Sequence, residues 1–176
     1  MKISRLVFAL LLVSSLLGCS DTHRLVRTEG VDLTASKALS AYLVVPRDGQ
    51  YGTIFYTGSG AMVAQEVEMA FSPYLENIVV GGRYEHLDNA LSRAREKAVD
   101  YLIYPEILHW EDRATEWSGR PDVVSIRVTI IDVSTGEKVD SAELGGTSKV
   151  MSWGGDHPQD LLAKPLADYA AGLFNR

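Results

Sequence analysis

Side chains suited to recognition or catalysis are concentrated in two segments of the sequence, 110–122 and 150–158. Together these segments carry all three tryptophans of the chain and several of its charged residues. Tryptophan is enriched at the energetic centres of interfaces, and aromatic rings beside arginine and carboxylates suit the recognition of a protein or a glycan. The candidate binding surface consists of Trp110, Glu111, Asp112, Arg113, Trp117, Trp153, Asp156 and His157.

A structural role for the same side chains is equally open. The tryptophans would then close one end of a sheet as a small satellite core, and the charged residues would fix a long loop. His109 and His157 lie on separate segments without the tight spacing of a metal site, so we predict no metal and no other cofactor. Acid/base catalysis by Glu106, Glu111 or Asp112 would need two carboxylates at a defined distance across a cleft. We assign no catalytic residue.

Common catalytic and phosphate-binding motifs do not occur in the sequence. It contains no Gly-x-Ser-x-Gly elbow, Walker Gly-Lys-Ser/Thr, His-Glu-x-x-His or Cys-x-x-Cys. Gly58-Ser59-Gly60 precedes a predicted helix, whose first amide groups could face an anion. Because it has no lysine and no further glycine at the dinucleotide spacing, a loop with a helix cap is the preferred interpretation. A non-enzymatic role is favoured, and enzymatic activity stays open.

The elements that must position these segments alternate between strands and helices. Apolar and alternating runs predict strands over 41–46, 77–80, 101–110, 123–133 and 138–150. Apolar residues at helical spacing predict helices over 63–74, 87–98 and 165–174. Pro73 should kink or end the first helix, and Pro105 requires a bulge or an edge in its strand. The order βαβαβββα predicts a single mixed α/β domain with antiparallel C-terminal strands and helices packed on the sheet.

The connections between the last three strands decide whether the two candidate segments meet. Ser134-Thr135-Gly136-Glu137 has the composition of a hairpin turn, so the last two strands should pair directly. If all three form an antiparallel meander, segments 110–122 and 150–158 lie at the same end of the sheet. The sequence therefore predicts one surface rather than two.

The N-terminus has the composition of a secretory signal. Lys2 and Arg5 precede an apolar run over 6–17, which is shorter than the roughly 20 helical residues that a hydrocarbon layer requires. The run ends in Leu16-Leu17-Gly18-Cys19, which resembles the lipobox of bacterial lipoproteins. The resemblance implies cleavage before Cys19, diacylglycerol on its sulfur and acylation of the new amino group. Cys19 is the only cysteine, so an intramolecular disulfide is excluded.

These features divide the chain into three parts. Residues 1–18 form the predicted signal peptide, 19–39 the acylated cysteine and a flexible tether, and 40–176 a globular periplasmic domain. By the sorting rules of lipoproteins, Ser20 after the cysteine favours the outer membrane over the inner membrane. Removal of residues 1–18 takes away two cations and changes the net charge from −6 to −8. Such a charge disfavours nucleic acid as a partner, so membrane contact is expected to come from the lipid.

Three stretches also resemble a family of short proteobacterial lipoproteins, domain of unknown function 4823. They are Tyr51-Gly52 with Gly58-Ser59-Gly60-Ala61-Met62, residues 105–113 (PEILHWEDR) and residues 155–160 (GDHPQD). The topology is similar to the amino-terminal domain of TolB, the curli-secretion lipoprotein and lipoprotein activators of penicillin-binding proteins. The resemblance implies a fold and a location but no activity.

Together these observations favour a non-enzymatic, lipid-anchored outer-membrane accessory module. It would face the periplasm and dock on another envelope protein. The alternative is a periplasmic hydrolase or glycan-binding protein that uses the tryptophan-rich end of the sheet.

Overall fold

The computed structural model describes residues 21–29, 33, 39–113, 120–148 and 157–174. Its strands are β1 (Thr22–Glu29), β2 (Ser40–Leu43), β3 (Gln50–Tyr51), β4 (Ile54–Phe55), β5 (Asn77–Val80), β6 (Tyr101–Glu111), β7 (Val123–Asp132) and β8 (Lys138–Thr147). Its α-helices are α1 (Ser59–Phe71), α2 (Leu87–Glu96) and α3 (Ala163–Leu173), and a 3-10 helix (Pro158–Leu162) leads into α3.

The main sheet has six strands in the order β1-β8-β7-β6-β2-β5. The pairs β1–β8, β8–β7 and β7–β6 are antiparallel, whereas β2 is parallel to both β5 and β6. This mixed sheet confirms the predicted fold class and the antiparallel C-terminal meander. Strands β3 and β4 form a separate hairpin, which the sequence analysis did not predict because each strand has only two residues.

The strand register defines the two ends of the sheet. Thr22 pairs with Thr147, Thr147 with Val123, and Val123 with Glu111, which gives one row across β1, β8, β7 and β6. We call this the Thr22 end. The opposite end, which we call the Asp132 end, carries the tight β7–β8 turn, in which Gly136 adopts a φ of 76°.

Helices cover the sheet unequally on its two faces. Helices α1 and α3 pack on one face and form the larger core with inward side chains of β6, β7 and β8. Val63, Val67 and Phe71 recur at helical spacing on the buried side of α1, which ends two residues before Pro73, as predicted. Helix α2 packs on the other face through the small, fully buried Ala90 and Ala94.

The N-terminal segment differs from the predicted flexible tether over 19–39. Thr22–Glu29 is strand β1, which pairs with β8 along its length. Arg27 Nε donates to Asp140 Oδ2 at 2.7 Å, and the fully buried Asp140 also accepts a 2.8 Å hydrogen bond from the Tyr169 hydroxyl. The sequence pattern missed β1 because an edge strand with Leu25 and Val26 both exposed shows no inward and outward alternation.

Two prolines bear on the predicted elements: one of the two alternatives predicted for Pro105, an edge, is confirmed, whereas the start of the last helix differs from the prediction. Pro105 lies opposite Val128 without a bulge, and β2 pairs with β6 only over Tyr101–Ile103, so β6 is an edge at Pro105 on its other side. The register shift in β6 occurs instead between Ile107 and His109. Pro165 lies inside the first turn of α3, two residues after the helix begins, because the preceding 3-10 helix already sets the chain direction.

Candidate binding site at the Thr22 end

The structure places five of the eight predicted surface residues and confirms that the ends of the two candidate segments meet. The Asp122 amide donates to Ser148 Oγ at 2.8 Å, and the Ser148 amide returns a 3.0 Å bond to the Asp122 carbonyl. His157 Nδ1 lies 3.9 Å from Asp112 Oδ2. The remaining predicted residues, Trp117, Trp153, Asp156 and the lipidation residue Cys19, lie outside the described residues.

Trp110 belongs to the larger core. It is only 2% exposed and belongs to the same buried cluster as the inward side chains of α1 and α3. A Cβ placed on Gly49 would lie 2.6 Å from Trp110 Cβ, so only glycine lets the chain entering the β3–β4 hairpin pass this close. Trp110 therefore forms the inner wall of the site and fixes the hairpin above it.

Glu111 and Arg113 also have structural contacts. Glu111 is 7% exposed, forms an ion pair with Arg113, and lies within hydrogen-bond distance of the His109 ring, at 3.4 Å. The Arg113 amide donates to Asp122 Oδ1 at 2.6 Å. Because a buried carboxylate is costly unless it is paired, this cluster holds the end of β6 against the start of β7. The more exposed charged groups of the site are Asp112 and His157.

A shallow pocket lies between Trp110 and the exposed pair. It has a volume of about 200 Å³ and is lined by Tyr56, Thr57, Ser59, Met62, Trp110, Asp112, His157 and Gln159. Pockets that enclose a small-molecule ligand usually measure about 300–1,000 Å³. The site therefore matches the dimensions of a single side chain or sugar-sized group, with aromatic walls and one carboxylate at the rim.

The loop before α1 has its amide groups already occupied. The Asp48 carboxylate accepts hydrogen bonds from the Gly58 and Gly60 amides, at 3.1 Å and 2.8 Å. Gly58 has a φ of 91°, and a Cβ on Gly60 would lie 2.2 Å from the Pro46 carbonyl oxygen. These glycines serve the backbone path and the helix start. The preferred interpretation as a loop with a cap is confirmed, since the carboxylate occupies the place of an anion.

The β3–β4 hairpin contributes exposed apolar residues that the sequence analysis did not assign to the site. Tyr51, Ile54 and Phe55 are 44%, 55% and 69% exposed. The Tyr51 ring packs edge-on against His109, with ring centroids 5.2 Å apart. A sequence signal was present, because no charged residue occurs between Asp48 and Glu66.

A second, more polar depression lies at the start of α2. Its volume is about 440 Å³, and in it Glu85 pairs with Arg93 at 3.0 Å and accepts a 3.1 Å hydrogen bond from the Tyr42 hydroxyl. The Arg47 guanidinium lies 4.7 Å from the centre of the Tyr84 ring. This pairing gives the depression a structural role. Among the described residues, no group of three or more His, Cys, Asp and Glu is placed to hold a metal ion.

The fold and the site define a small mixed α/β domain with a shallow pocket, lined by aromatic and acidic side chains, at one end of its sheet. The chain belongs to the family Domain of unknown function (DUF4823), whose profile matches residues 33–173. A comparison with curated protein sequences finds no significant match.

Several solved structures have a similar fold. PelC from Paraburkholderia phytofirmans, a dodecamer, is 18% identical with a TM-score of 0.66, over 88% of this chain and 99% of PelC. The hypothetical protein CT253 from Chlamydia trachomatis is 11% identical with a TM-score of 0.50, over 80% of this chain and all of CT253. Lipoprotein GNA1162 from Neisseria meningitidis is 12% identical with a TM-score of 0.46, over 66% and 86%. For PelC and CT253 the likeness at these identities shows a common fold alone.

Helices of the described residues do not reach the length and apolarity needed to cross a bilayer.

Proposed function

We propose that this protein is an envelope lipoprotein anchored through Cys19, and that it acts as an accessory module rather than as an enzyme. Its Thr22 end is held at the periplasmic face of the outer membrane, where it engages another envelope protein. The lipobox resemblance supports the anchor. The shallow pocket and the paired carboxylate of Glu111 support recognition rather than acid/base chemistry.

The observation that carries this proposal is the register of β1. Thr22 begins the strand at the same end as Glu111 and the pocket. Only two residues lie between Cys19 and Thr22, and the three chain steps span at most about 10 Å. An anchor on Cys19 would therefore hold the candidate site next to the bilayer, so the partner we propose is itself in or on that membrane.

The charge of the domain favours a basic partner surface. The chain without residues 1–18 carries a net charge of −8, and Asp112 lies at the pocket rim. Complementary charge steers association and suppresses wrong partners more than it increases affinity. We infer that a cationic side chain of the partner enters the pocket between Tyr56 and Asp112.

We also propose that the module works as a homo-oligomer. PelC, which has a similar fold, is a dodecamer. Within the part of the chain that the structure describes, β1 pairs on one side only and exposes Leu25 and Val26. A long uncovered edge is an aggregation hazard, so a second copy would protect it. Native mass spectrometry of the purified lipoprotein should show an oligomer that Val26→Asp weakens; a monomer at cellular concentration would refute this.

The anchor is tested in cells with Cys19→Ser in the full chain. We expect an unprocessed precursor without lipid, because both processing and acylation depend on the cysteine. Mature protein of the correct size from this variant would contradict the lipoprotein assignment. Membrane fractionation of the unsubstituted chain then distinguishes outer from inner membrane.

The docking site is tested with a photo-crosslinking amino acid at Gln159, which lines the pocket, and at Glu137, in the exposed turn of the Asp132 end. We expect one envelope protein to be captured from position 159 and not from position 137. Equal capture at both positions would contradict a specific site.

Paired substitutions separate docking from catalysis. A docking module should keep its cellular phenotype with Glu106→Gln, which lies outside the pocket lining, but lose it with Trp117→Ala or Trp153→Ala. The reverse pattern would favour the hydrolase alternative.

A further inference from the structure

We propose that the β3–β4 hairpin enters the headgroup region of the bilayer as a second membrane contact beside the lipid anchor. This inference rests on the proposed anchor at Cys19. The occupant of the hairpin's exposed apolar face is then a lipid surface, and the contact fixes the orientation of the whole domain.

The hairpin has the composition of a membrane-interface element. Tyr51, Ile54 and Phe55 are the large apolar side chains that the hairpin exposes, and Met62 in the first turn of α1 is also exposed. The segment from Gly49 to Gln65 contains no charged residue, in a chain that is 23% charged. Insertion of this hairpin therefore removes no ion from water, which would be the largest cost of entering the interface. Its tyrosines combine an apolar ring with a hydroxyl that stays hydrated, as at membrane interfaces generally.

The hairpin is held rigidly at the end of the sheet that the anchor would place near the membrane. The entering chain passes over Trp110 at Gly49, and the Tyr56 amide donates back to the Gly49 carbonyl at 3.0 Å. The Gln50 side chain donates to the Gly52 carbonyl at 2.9 Å inside the turn. A rigid mount means that the apolar tip keeps its exposure instead of folding back onto the domain.

The position of the anchor favours a bilayer over a protein as the occupant. Thr22 starts within about 10 Å of the acylated residue. The hairpin contacts β6, which is three strands from β1 in the sheet, so the two contacts stand about 15 Å apart along the sheet. Two separated contacts prevent rotation about a single anchor. The strands would then stand steeply on the membrane, with the Asp132 end pointing into the periplasm.

The apolar side chains are distributed as this orientation requires. Exposed large apolar residues near the Thr22 end include Tyr51, Ile54, Phe55, Met62 and Leu108. At the Asp132 end the β7–β8 turn exposes Ser134, Thr135, Glu137 and Lys138 instead. An apolar hairpin at one end and a polar turn at the other match a molecule whose hairpin meets lipid while the turn faces water.

The test uses the full-length lipoprotein in vesicles of phosphatidylethanolamine and phosphatidylglycerol at about three to one. Acylation blocks the thiol of Cys19, so Phe55→Cys supplies the single reactive thiol for an environment-sensitive fluorophore. Glu137→Cys is the matched control at the other end. We expect a blue-shifted emission at position 55 and at least fivefold stronger quenching by spin-labelled lipids than at position 137.

Failure of the inference and failure of the anchor give different results. Flotation with the vesicles and the mass of the N-terminal peptide establish first that Cys19 carries lipid. Equal quenching at positions 55 and 137 in such protein would overturn the hairpin contact. So would a fluorophore at position 55 that is shielded from aqueous iodide but not quenched by lipid, because that result would indicate a protein on the hairpin. Tyr51→Ser with Ile54→Ser should abolish the difference between the two positions.

Discussion

The two ends of the sheet differ in how their strands are connected. At the Asp132 end, β7 and β8 join through a short turn in which Asp132 accepts hydrogen bonds from Ser134 and Thr135. At the Thr22 end, the corresponding strands end in longer connections, and a separate hairpin carries exposed aromatic residues. The turn satisfies its own polar groups, whereas the hairpin leaves apolar surface in contact with water.

This difference is the reason we propose the Thr22 end, rather than the Asp132 end, as the place of contact with other molecules. Exposed apolar patches on a stable domain mark interaction sites more often than they mark defects of folding. The buried residues of the Thr22 end nevertheless have stabilising contacts, since Trp110 belongs to the core and Glu111 pairs with Arg113. The Asp132 end therefore only connects strands, whereas the Thr22 end connects strands and also exposes an apolar surface.

The largest expected effect concerns β1, which sets the end at which the N-terminus emerges. Arg27→Ala leaves the buried Asp140 with only its Tyr169 hydrogen bond, and should reduce the free energy of unfolding by about 3 kcal/mol. Urea denaturation of the variant measures this loss. Arg24→Ala, on the same strand but exposed, should change stability by less than about 0.5 kcal/mol. Similar small losses from both variants would show that β1 is not held by the buried pair.

A smaller loss is expected at the base of the hairpin. Gly49→Ala places a methyl group against Trp110 Cβ, and overpacking of this kind costs about 2 kcal/mol. The fluorescence of Trp110 should shift because the hairpin above it is displaced. Gly82→Ala is the matched control, since a Cβ there meets no atom within 4 Å. A Gly49 variant as stable as the Gly82 variant would show that the hairpin is loosely mounted.

The smallest effect lies at the Asp132 end and depends on pH. The Ser134 hydroxyl and the Thr135 amide donate to Asp132 and hold its pKa below the ordinary value of 3.8. Since the folded-state pKa is lower than the unfolded one, this stabilisation is present above about pH 4 and is lost as the pH falls through the folded-state value. Asp132→Asn should cost less than about 1 kcal/mol at pH 7, because the carboxylate is near the surface. Thermal unfolding should show a smaller stability difference between the variant and the unsubstituted chain at pH 2 than at pH 7. A difference that does not change with pH would argue against stabilisation by the ionised Asp132 carboxylate.

Side-chain patterns predicted most of the elements because those elements bury one face. Val124, Ile126, Val128 and Ile130 alternate along β7, and each is buried in the structure. The proximity of Asp112 and His157 followed from the meander, since strand direction alone places two loops at one end. Where neither periodicity nor connection length was informative, as in β1 and the β3–β4 hairpin, the sequence pattern predicted no element.

The amino-acid sequence by itself determined the mixed fold, the acidic charge and the candidate lipidation residue. These follow from local order along the chain: hydrophobic period, turn residues, and a cysteine after an apolar run. Only the tertiary structure decided that β1 joins the sheet, that Trp110 is a core residue, and that an apolar hairpin stands beside the pocket. Such facts depend on which distant segments pack together, and a partner such as Asp140 for Arg27 lies 113 residues away in the chain.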